Sequence, residues 1–220
     1  MASFANQKCI FIGEKYRPQK GEKNFFYVDN HILLQAFKNL NYSAFKLWCF
    51  FYSKPEGYTS DLECEKICKT INISRPQFYS SLKLLLEKGY LTSSENGLFY
   101  YFYANPILLA EEQKFGGIYC YAIMNKFMPE KEPKNFTIIN NDFLFELLIA
   151  FTKTQFGLWL YFYIQPDEYT LWLSKKTVCE LLKIGERQFH EGINYLIDYG
   201  YLTPTTSNHY TFNAKPLGGM

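Results

Sequence analysis

Two arginines are the side chains in this sequence whose type and position best suit a chemical role. The chain has only three arginines, and two of them, Arg75 and Arg187, fall in the first turn of a predicted helix. A guanidinium group offers several hydrogen-bond donors in a planar fork, so its place at a helix start favours a polar binding surface. The alternative interpretation is that these charges only solvate an exposed helix face.

The other reactive residue types form no recognisable catalytic or metal-binding pattern. The six cysteines include no Cys-x-x-Cys pair, and Cys64 and Cys68, four apart on a predicted helix, have no histidine at zinc spacing. The sequence also has no glycine-rich phosphate loop and no signature of a nucleophile with its base. We therefore expect no enzymatic activity, no metal and no cofactor. The cysteine usage predicts reduced thiols in a cytoplasmic protein.

Charge and hydropathy give only weak indications of partners. The formal net charge is +2, with 14 Lys+Arg against 11 Asp+Glu in residues 1–117 and 9 against 10 in residues 118–220. If only one half binds nucleic acid, charge favours the first. No secretory leader is recognisable. Polar residues interrupt the apolar run 143–164, which predicts two amphipathic helices and no association with a membrane.

The chain contains an internal duplication at a constant offset of 111 residues. The matched pairs include Trp48 and Trp159, Cys68 and Cys179, Phe78 and Phe189, and the blocks 89–92 and 200–203. The offset then becomes 110 for Ala104 and Ala214, as expected if the second copy has a shorter hairpin. A repeat of this length predicts two ordinary small domains, 1–112 and 113–220, rather than a solenoid.

Each copy shows the same series of predicted elements. In the first copy the apolar spacing predicts a strand at 9–12, a helix capped by Asn30, and a second helix at 44–53. Residues 59–61 are expected to cap a short helix, and Ser74 a third helix at 75–88 that Gly89 ends. Two strand-like runs around Glu95-Asn96-Gly97 predict a β-hairpin.

This order of elements resembles the winged-helix variant of the helix-turn-helix. The resemblance rests on Ile73-Ser74-Arg75-Pro76-Gln77-Phe78 with Lys88-Gly89-Tyr90-Leu91, and on Ile184-Gly185-Glu186-Arg187-Gln188-Phe189 with Tyr199-Gly200-Tyr201-Leu202. More narrowly, the chain is similar to the N-terminal modules of phage and plasmid replication initiators and replisome organisers. The resemblance implies an α+β, mainly α fold of two tandem winged-helix domains.

By the same resemblance, the third helix of each copy enters the DNA major groove and its first residues meet base edges. Arginine can bind guanine and glutamine can bind adenine through two hydrogen bonds, whereas Ser80 and Lys83 are better suited to phosphate. The candidates in the first copy are Ser74, Arg75, Gln77, Tyr79, Ser80 and Lys83. Those in the second copy are Arg187, Gln188, His190, Glu191 and Asn194.

The resemblance predicts sequence-specific binding of double-stranded DNA, with a role in replication initiation or organisation on a phage or plasmid. Glu186 and Glu191 oppose phosphate, so the second copy is expected to bind more weakly. The predicted hairpin tips carry no cation, which favours modest affinity and therefore oligomerisation on DNA. The resemblance to replication proteins implies further replication proteins as partners. Alternatives are a transcriptional regulator with the same fold and a protein-interaction scaffold that has lost its DNA face. Trp172, aligned with Asp61, is expected at a helix start, either as an exposed contact or packed between the copies, of which we favour packing.

Overall fold

A computed structural model describes residues 8–12, 18, 23–94, 99–106, 120–125, 135–206 and 209–216. Within these residues the protein is α+β, with eight helices that make up about half of the described chain and ten short strands. No helix in this part of the chain is both long and apolar enough to cross a membrane.

The first half of the chain contains β1 (Lys8–Ile12), β2 (Phe25–Asp29), α1 (Asn30–Asn39), α2 (Tyr42–Tyr52), β3 (Thr59–Asp61), α3 (Cys64–Ile71), α4 (Arg75–Glu87), β4 (Leu91–Ser93) and β5 (Phe99–Tyr103). The second half contains β6 (Cys120–Asn125), β7 (Phe136–Asn140), α5 (Asn141–Ala150), α6 (Lys153–Tyr163), β8 (Thr170–Leu173), α7 (Lys175–Leu182), α8 (Glu186–Asp198), β9 (Leu202–Thr206) and β10 (His209–Phe212). Both halves therefore have the same element order.

The chain divides into two compact units. The terminal unit consists of Met1–Gly21 with Ala150–Met220, and the central unit consists of Glu22–Ile149. These units do not coincide with the sequence copies 1–112 and 113–220. Strand β1 belongs to the terminal unit although it begins the first copy, whereas β6 and β7 begin the second copy and belong to the central unit.

Each unit contains a four-stranded sheet with the same topology. In the terminal unit, β1 pairs antiparallel with β8 and parallel with β10, and β10 pairs antiparallel with β9. In the central unit, β6 pairs in the same two ways with β3 and β5, and β5 pairs antiparallel with β4. The central unit also contains the antiparallel pair β2–β7. The duplicated sequence thus forms the same sheet twice.

A fully buried tryptophan lies at the centre of each unit. The Trp48 indole in α2 donates a hydrogen bond to the carbonyl oxygen of Ala104 at 3.3 Å, just after β5. In the terminal unit, Trp159 in α6 donates to the Ala214 carbonyl at 3.1 Å. Each indole therefore joins the central helix of its unit to the chain that follows the hairpin. This contact explains why the tryptophan and the alanine both recur in the two copies.

The N-cap predicted for the first helix was wrong by one residue. Asp29, not Asn30, caps α1, because its carboxylate accepts hydrogen bonds from the backbone N–H groups of His31 and Ile32 at 2.7 and 3.1 Å. Asn30 is already helical, and its side chain accepts a hydrogen bond from Thr137 on β7. Asp29 is extended and has a short polar side chain, so it takes the N-cap position that the sequence analysis assigned to Asn30.

Two other expected helix starts are strands. Residues 59–61 form β3, and α3 begins only at Cys64 without a side-chain cap. Trp172 likewise lies in β8 rather than at a helix start. The third helix is confirmed as α4, one residue shorter than predicted, and both strands of each hairpin are present. Of the second hairpin tip, predicted at 204–208, residues 204–206 lie in β9 instead. The first tip 95–97, residues 207–208 and the predicted linker 107–117 lie outside the described residues.

Candidate nucleic-acid interface

Helix α4 owes its position to a cap at its start and an apolar face along its length. Ser74 and Gln77 form a capping box, and Pro76 lies in the first turn, where a missing N–H removes no helical hydrogen bond. Phe78 and Leu82, together with further residues at helical spacing, are buried against the rest of the central unit. The opposite face of α4 is consequently left to solvent. It carries the six first-copy candidates.

Three of these six candidates bind the helix itself. The backbone N–H of Ser74 donates to Oε1 of Gln77 at 2.8 Å, and the N–H of Gln77 lies 3.4 Å from Oγ of Ser74. The Ser80 hydroxyl donates to the Gln77 carbonyl oxygen at 3.0 Å. Contacts of these atoms with a base or phosphate therefore compete with the cap. The serine–glutamine spacing signalled this role in the sequence.

The remaining first-copy candidates form an exposed polar and aromatic surface. Arg75 is exposed, and its hydrogen bond with the Tyr79 phenol raises the pKa of the guanidinium group. The Tyr79 ring lies 5.4 Å from that of Phe78 and remains 42% exposed. Lys83 lies one further turn along, with Nζ 3.9 Å from Oε1 of Glu87. Arg75 thus combines a permanent charge with a neutral hydrogen-bond partner.

Helix α8 places the second-copy candidates in the same way, with different electrostatics. Nε of Arg187 donates to Oε1 of Glu191 at 2.7 Å, and this hydrogen bond raises the pKa of the guanidinium group. Nζ of Lys175 donates to Oε2 of Glu186 at 2.7 Å, which lowers the pKa of that carboxyl group. Arg187 and Lys175 are therefore each paired with a carboxylate.

The other second-copy candidates differ in their availability. Gln188 repeats the role of Gln77, because its Oε1 accepts from the Gly185 backbone N–H at 3.0 Å. His190 is half-buried with its ring 5.6 Å from that of Phe189, whereas Asn194 is exposed. The Arg187 side chain is 91% exposed within its ion pair.

The two sets of candidates lie in different compact units. The α4 set belongs to the central unit and the α8 set to the terminal unit, so each forms its own surface. The central unit has 13 Lys+Arg against 14 Asp+Glu, whereas the terminal unit has 10 against 7. The excess of positive charge moves to the terminal unit because residues 1–21, with four Lys+Arg and one Glu, belong to it. Charge alone therefore no longer favours the unit that contains α4.

Cys64 and Cys68 on α3 lie close enough to Arg75 of α4 to interact with it electrostatically. Their sulfur atoms on α3 are 3.8 Å apart, and both side chains are half-buried. Burial, followed by the hydrogen bond with Cys64, raises the pKa of Cys68 to about 11, so this thiol stays protonated at neutral pH. No cluster of three or more histidine, cysteine, aspartate or glutamate residues suited to a metal occurs within the described segments.

One exposed residue was misjudged from the sequence. For Trp172 the favoured interpretation, packing between the copies, was wrong: its side chain is 60% exposed on β8, as in the alternative interpretation. Its alignment with Asp61 was the only sequence signal for exposure, because a position that accepts a carboxylate in one copy is rarely a core position.

In comparisons with protein-family models, with curated proteins and with solved structures, no match to this chain was found. The resemblance to winged-helix replication proteins therefore stays a prediction that rests on the sequence.

Proposed function

We propose that the protein binds double-stranded DNA as a tandem winged-helix protein, with α4 and α8 as the recognition helices. The observation that carries the proposal is the outer face of α4, where an exposed arginine stands in the first turn beside exposed Tyr79 and Lys83. A helix held at its inner face by buried Phe78 and Leu82 presents this turn as a rigid element. That is the arrangement by which recognition helices read the major groove.

The order of elements supports the same proposal. In each unit the proposed recognition helix directly follows a pair of helices and is followed by an antiparallel strand pair. These elements are α2, α3, α4 and β4–β5 in the central unit, and α6, α7, α8 and β9–β10 in the terminal unit. Two linked modules can bind neighbouring sites on one duplex with higher affinity than either alone. Because Arg75 aligns with Glu186, the two half-sites are expected to differ in sequence.

The biological process that we propose is replication initiation or organisation on a phage or plasmid. The support is the sequence resemblance, and transcriptional regulation by the same fold is the related alternative. The processes separate in a maintenance assay, in which the gene and its flanking DNA are placed on a plasmid without its own origin. Maintenance that is lost with Arg75→Ala supports replication. A plasmid that is never maintained, together with repression of a neighbouring promoter, indicates regulation instead.

One observation favours a second function for α8. Arg187 of α8 is paired with Glu191, and Lys175 of the neighbouring α7 is paired with Glu186, so this helix has little free positive charge. The protein-interaction role considered as an alternative from the sequence is therefore best placed on α8. In that case Arg187→Ala leaves DNA affinity unchanged, whereas Arg75→Ala lowers it.

Selection from a random duplex library tests whether α4 reads sequence. Arg75→Lys keeps the charge but loses the planar fork, so we expect affinity to fall modestly and the preferred base to be lost at one position. Lys88→Ala, at the far end of the same helix about 20 Å away, is the matched control and is expected to keep the preference. An unchanged preference with Arg75→Lys contradicts base reading by Arg75.

A further inference from the structure

The outward face of the terminal sheet carries exposed aromatic residues. Because paired residues share a face of a sheet, the register of β1 with β8 and β10 puts Trp172, Cys9 and His209 on one side. Phe11, two residues further along β1, lies on the same side. Trp172 is 60% exposed and Phe11 41% exposed.

The opposite face of this sheet belongs to the core. Ile10, Leu173 and Phe212 alternate with the outward residues and are buried. The exposed rings are therefore additional to the residues that hold the sheet in place. The Trp172 ring lies 6.4 Å from the His209 ring, in an edge-on orientation. Cys9, which the register places between these two residues, is buried at 5% exposure.

The remaining described residues of this face are polar and uncharged. They include Thr170, Thr203 and Thr211, and none of the described residues on this face is a carboxylate. The face belongs to the terminal unit, which has 10 Lys+Arg against 7 Asp+Glu. Exposed aromatic rings with no carboxylate among them, on a unit of net positive charge, are features that favour the binding of single-stranded nucleic acids.

The central unit provides an internal comparison. Its sheet has the same pairing, with Asp61 at the position of Trp172 and Phe99 at that of His209. Phe99 and Tyr101 stack on each other at 6.5 Å and are only half-exposed. This second face carries a carboxylate, which repels phosphate. The two sheets thus share a backbone arrangement and differ in the residues that meet solvent.

We propose that the outward face of the terminal sheet binds single-stranded nucleic acid, with bases stacking on Trp172 and Phe11. A diagonal pair of positions on neighbouring antiparallel strands is about 7–8 Å apart, which leaves room for two successive unstacked bases of an extended strand. The site is separate from α4 and α8, and it does not depend on the proposed binding of duplex DNA.

The full-length chain offers an intrinsic probe of this site. Trp48 and Trp159 are fully buried, so the solvent-exposed part of the tryptophan fluorescence comes from Trp172. Titration with a twelve-nucleotide oligo(dT) at low salt is expected to quench this emission and shift it to shorter wavelength. A parallel titration with oligo(U) distinguishes DNA from RNA. An emission that responds to neither oligonucleotide overturns the proposal.

Variants test the contact with a labelled oligonucleotide, whose anisotropy does not depend on tryptophan. Trp172→Asp, which copies Asp61 of the other sheet, and Phe11→Ala are each expected to weaken binding about tenfold or more, whereas Trp172→Phe retains most of it. Tyr199→Ala is the matched control, since this exposed aromatic residue of the same unit ends α8 and lies outside the sheet. Equal affinity of Trp172→Asp, Phe11→Ala and the wild type overturns the proposal.

Two further results distinguish binding at this face from binding at α4 and from self-association. Arg75→Ala is expected to leave oligo(dT) affinity unchanged, and Trp172→Asp to leave duplex affinity unchanged. Trp172 emission that shifts with protein concentration in the absence of oligonucleotide, together with a dimer that Trp172→Asp abolishes, shows that a second copy covers the face and overturns the proposal. Thermal unfolding confirms that each variant is folded, because a substitution at so exposed a position costs little stability.

Discussion

The division into a terminal and a central unit predicts where a core substitution acts. Ile10 belongs to the first sequence copy but is buried, at 1% exposure, in the terminal unit. Leu144 belongs to the second copy but is equally buried on α5 of the central unit. The substitutions Ile10→Ala and Leu144→Ala therefore distinguish the compact units from the sequence copies. If the compact units govern stability, Ile10→Ala destabilises the terminal unit and Leu144→Ala the central unit. If the sequence copies govern stability, the effects are reversed.

The expected size of the effect follows from burial. Truncation of a fully buried isoleucine or leucine to alanine costs about 2–5 kcal/mol, because it removes transfer free energy and leaves a cavity. Ile10 lies on the strand between β8 and β10, so the site has neighbours on both sides and little scope to collapse. A mid-range value of about 3 kcal/mol corresponds to roughly 150-fold faster hydrogen exchange for amides that open with the unit.

Hydrogen exchange followed by mass spectrometry locates the loss of protection. Ile10→Ala is expected to accelerate exchange in α8 and leave α4 unchanged. Leu144→Ala is expected to accelerate exchange in α4 and leave α8 unchanged. The reverse pattern, with Ile10→Ala acting on α4 and Leu144→Ala on α8, refutes the division. Equal acceleration of both helices in both variants refutes it as well, since the two units then unfold together.

Three further predictions concern single contacts. Trp48→Phe and Trp159→Phe each remove the indole donor of a carbonyl oxygen and leave a small cavity. Urea unfolding is therefore expected to show a free energy of unfolding about 2–4 kcal/mol lower for either variant. A decrease below about 0.5 kcal/mol contradicts this. Ser74→Ala removes the cap of α4 and is expected to cost about 1 kcal/mol, whereas Ser74→Gly costs only a few tenths; equal costs argue against capping. Glu191→Gln frees Arg187 and removes a negative charge, so duplex affinity is expected to rise about three- to tenfold in anisotropy titrations; no change indicates that α8 does not contact DNA.

The parts of the fold that depend on local signals could be predicted from the sequence. The start of α4 was predicted because Ser74 and Pro76 specify a capped first turn, and its end because a glycine was expected there; Gly89 adopts a positive φ of 76° that other residues disfavour. The strands of the hairpins were predicted from their apolar and aromatic runs.

The parts that depend on distant partners could not be predicted. The three-residue strand β3 has a polar sequence, and it is a strand only because β6, about 60 residues later, pairs with it. The parallel pairing of β1 with β10 joins segments about 200 residues apart, and no local pattern specifies such a partner. The assignment of β1 to the terminal unit, and the charge that moves with it, follows from that pairing.

The candidate interface shows the same limit. The spacing of Arg187 and Glu191 is the i, i+4 spacing of a helical ion pair, so their contact was available from the sequence. The contact of Lys175 with Glu186 joins two helices, so it could not be predicted from the sequence. Gln77 and Gln188 were assigned to base reading, although the same spacing also specifies the capping contact that the structure contains.

Duplex binding measured across a range of salt concentrations tests the central claim most directly. The proposal predicts that log Kd rises linearly with log salt for an AT-rich duplex, and that Arg75→Ala weakens binding and reduces the slope by about one. The Lys88→Ala variant supplies the comparison for the loss of a cation elsewhere on the same helix. A folded protein that shows no salt-dependent binding to any duplex, or an Arg75→Ala variant with the affinity and slope of the wild type, contradicts DNA binding through α4.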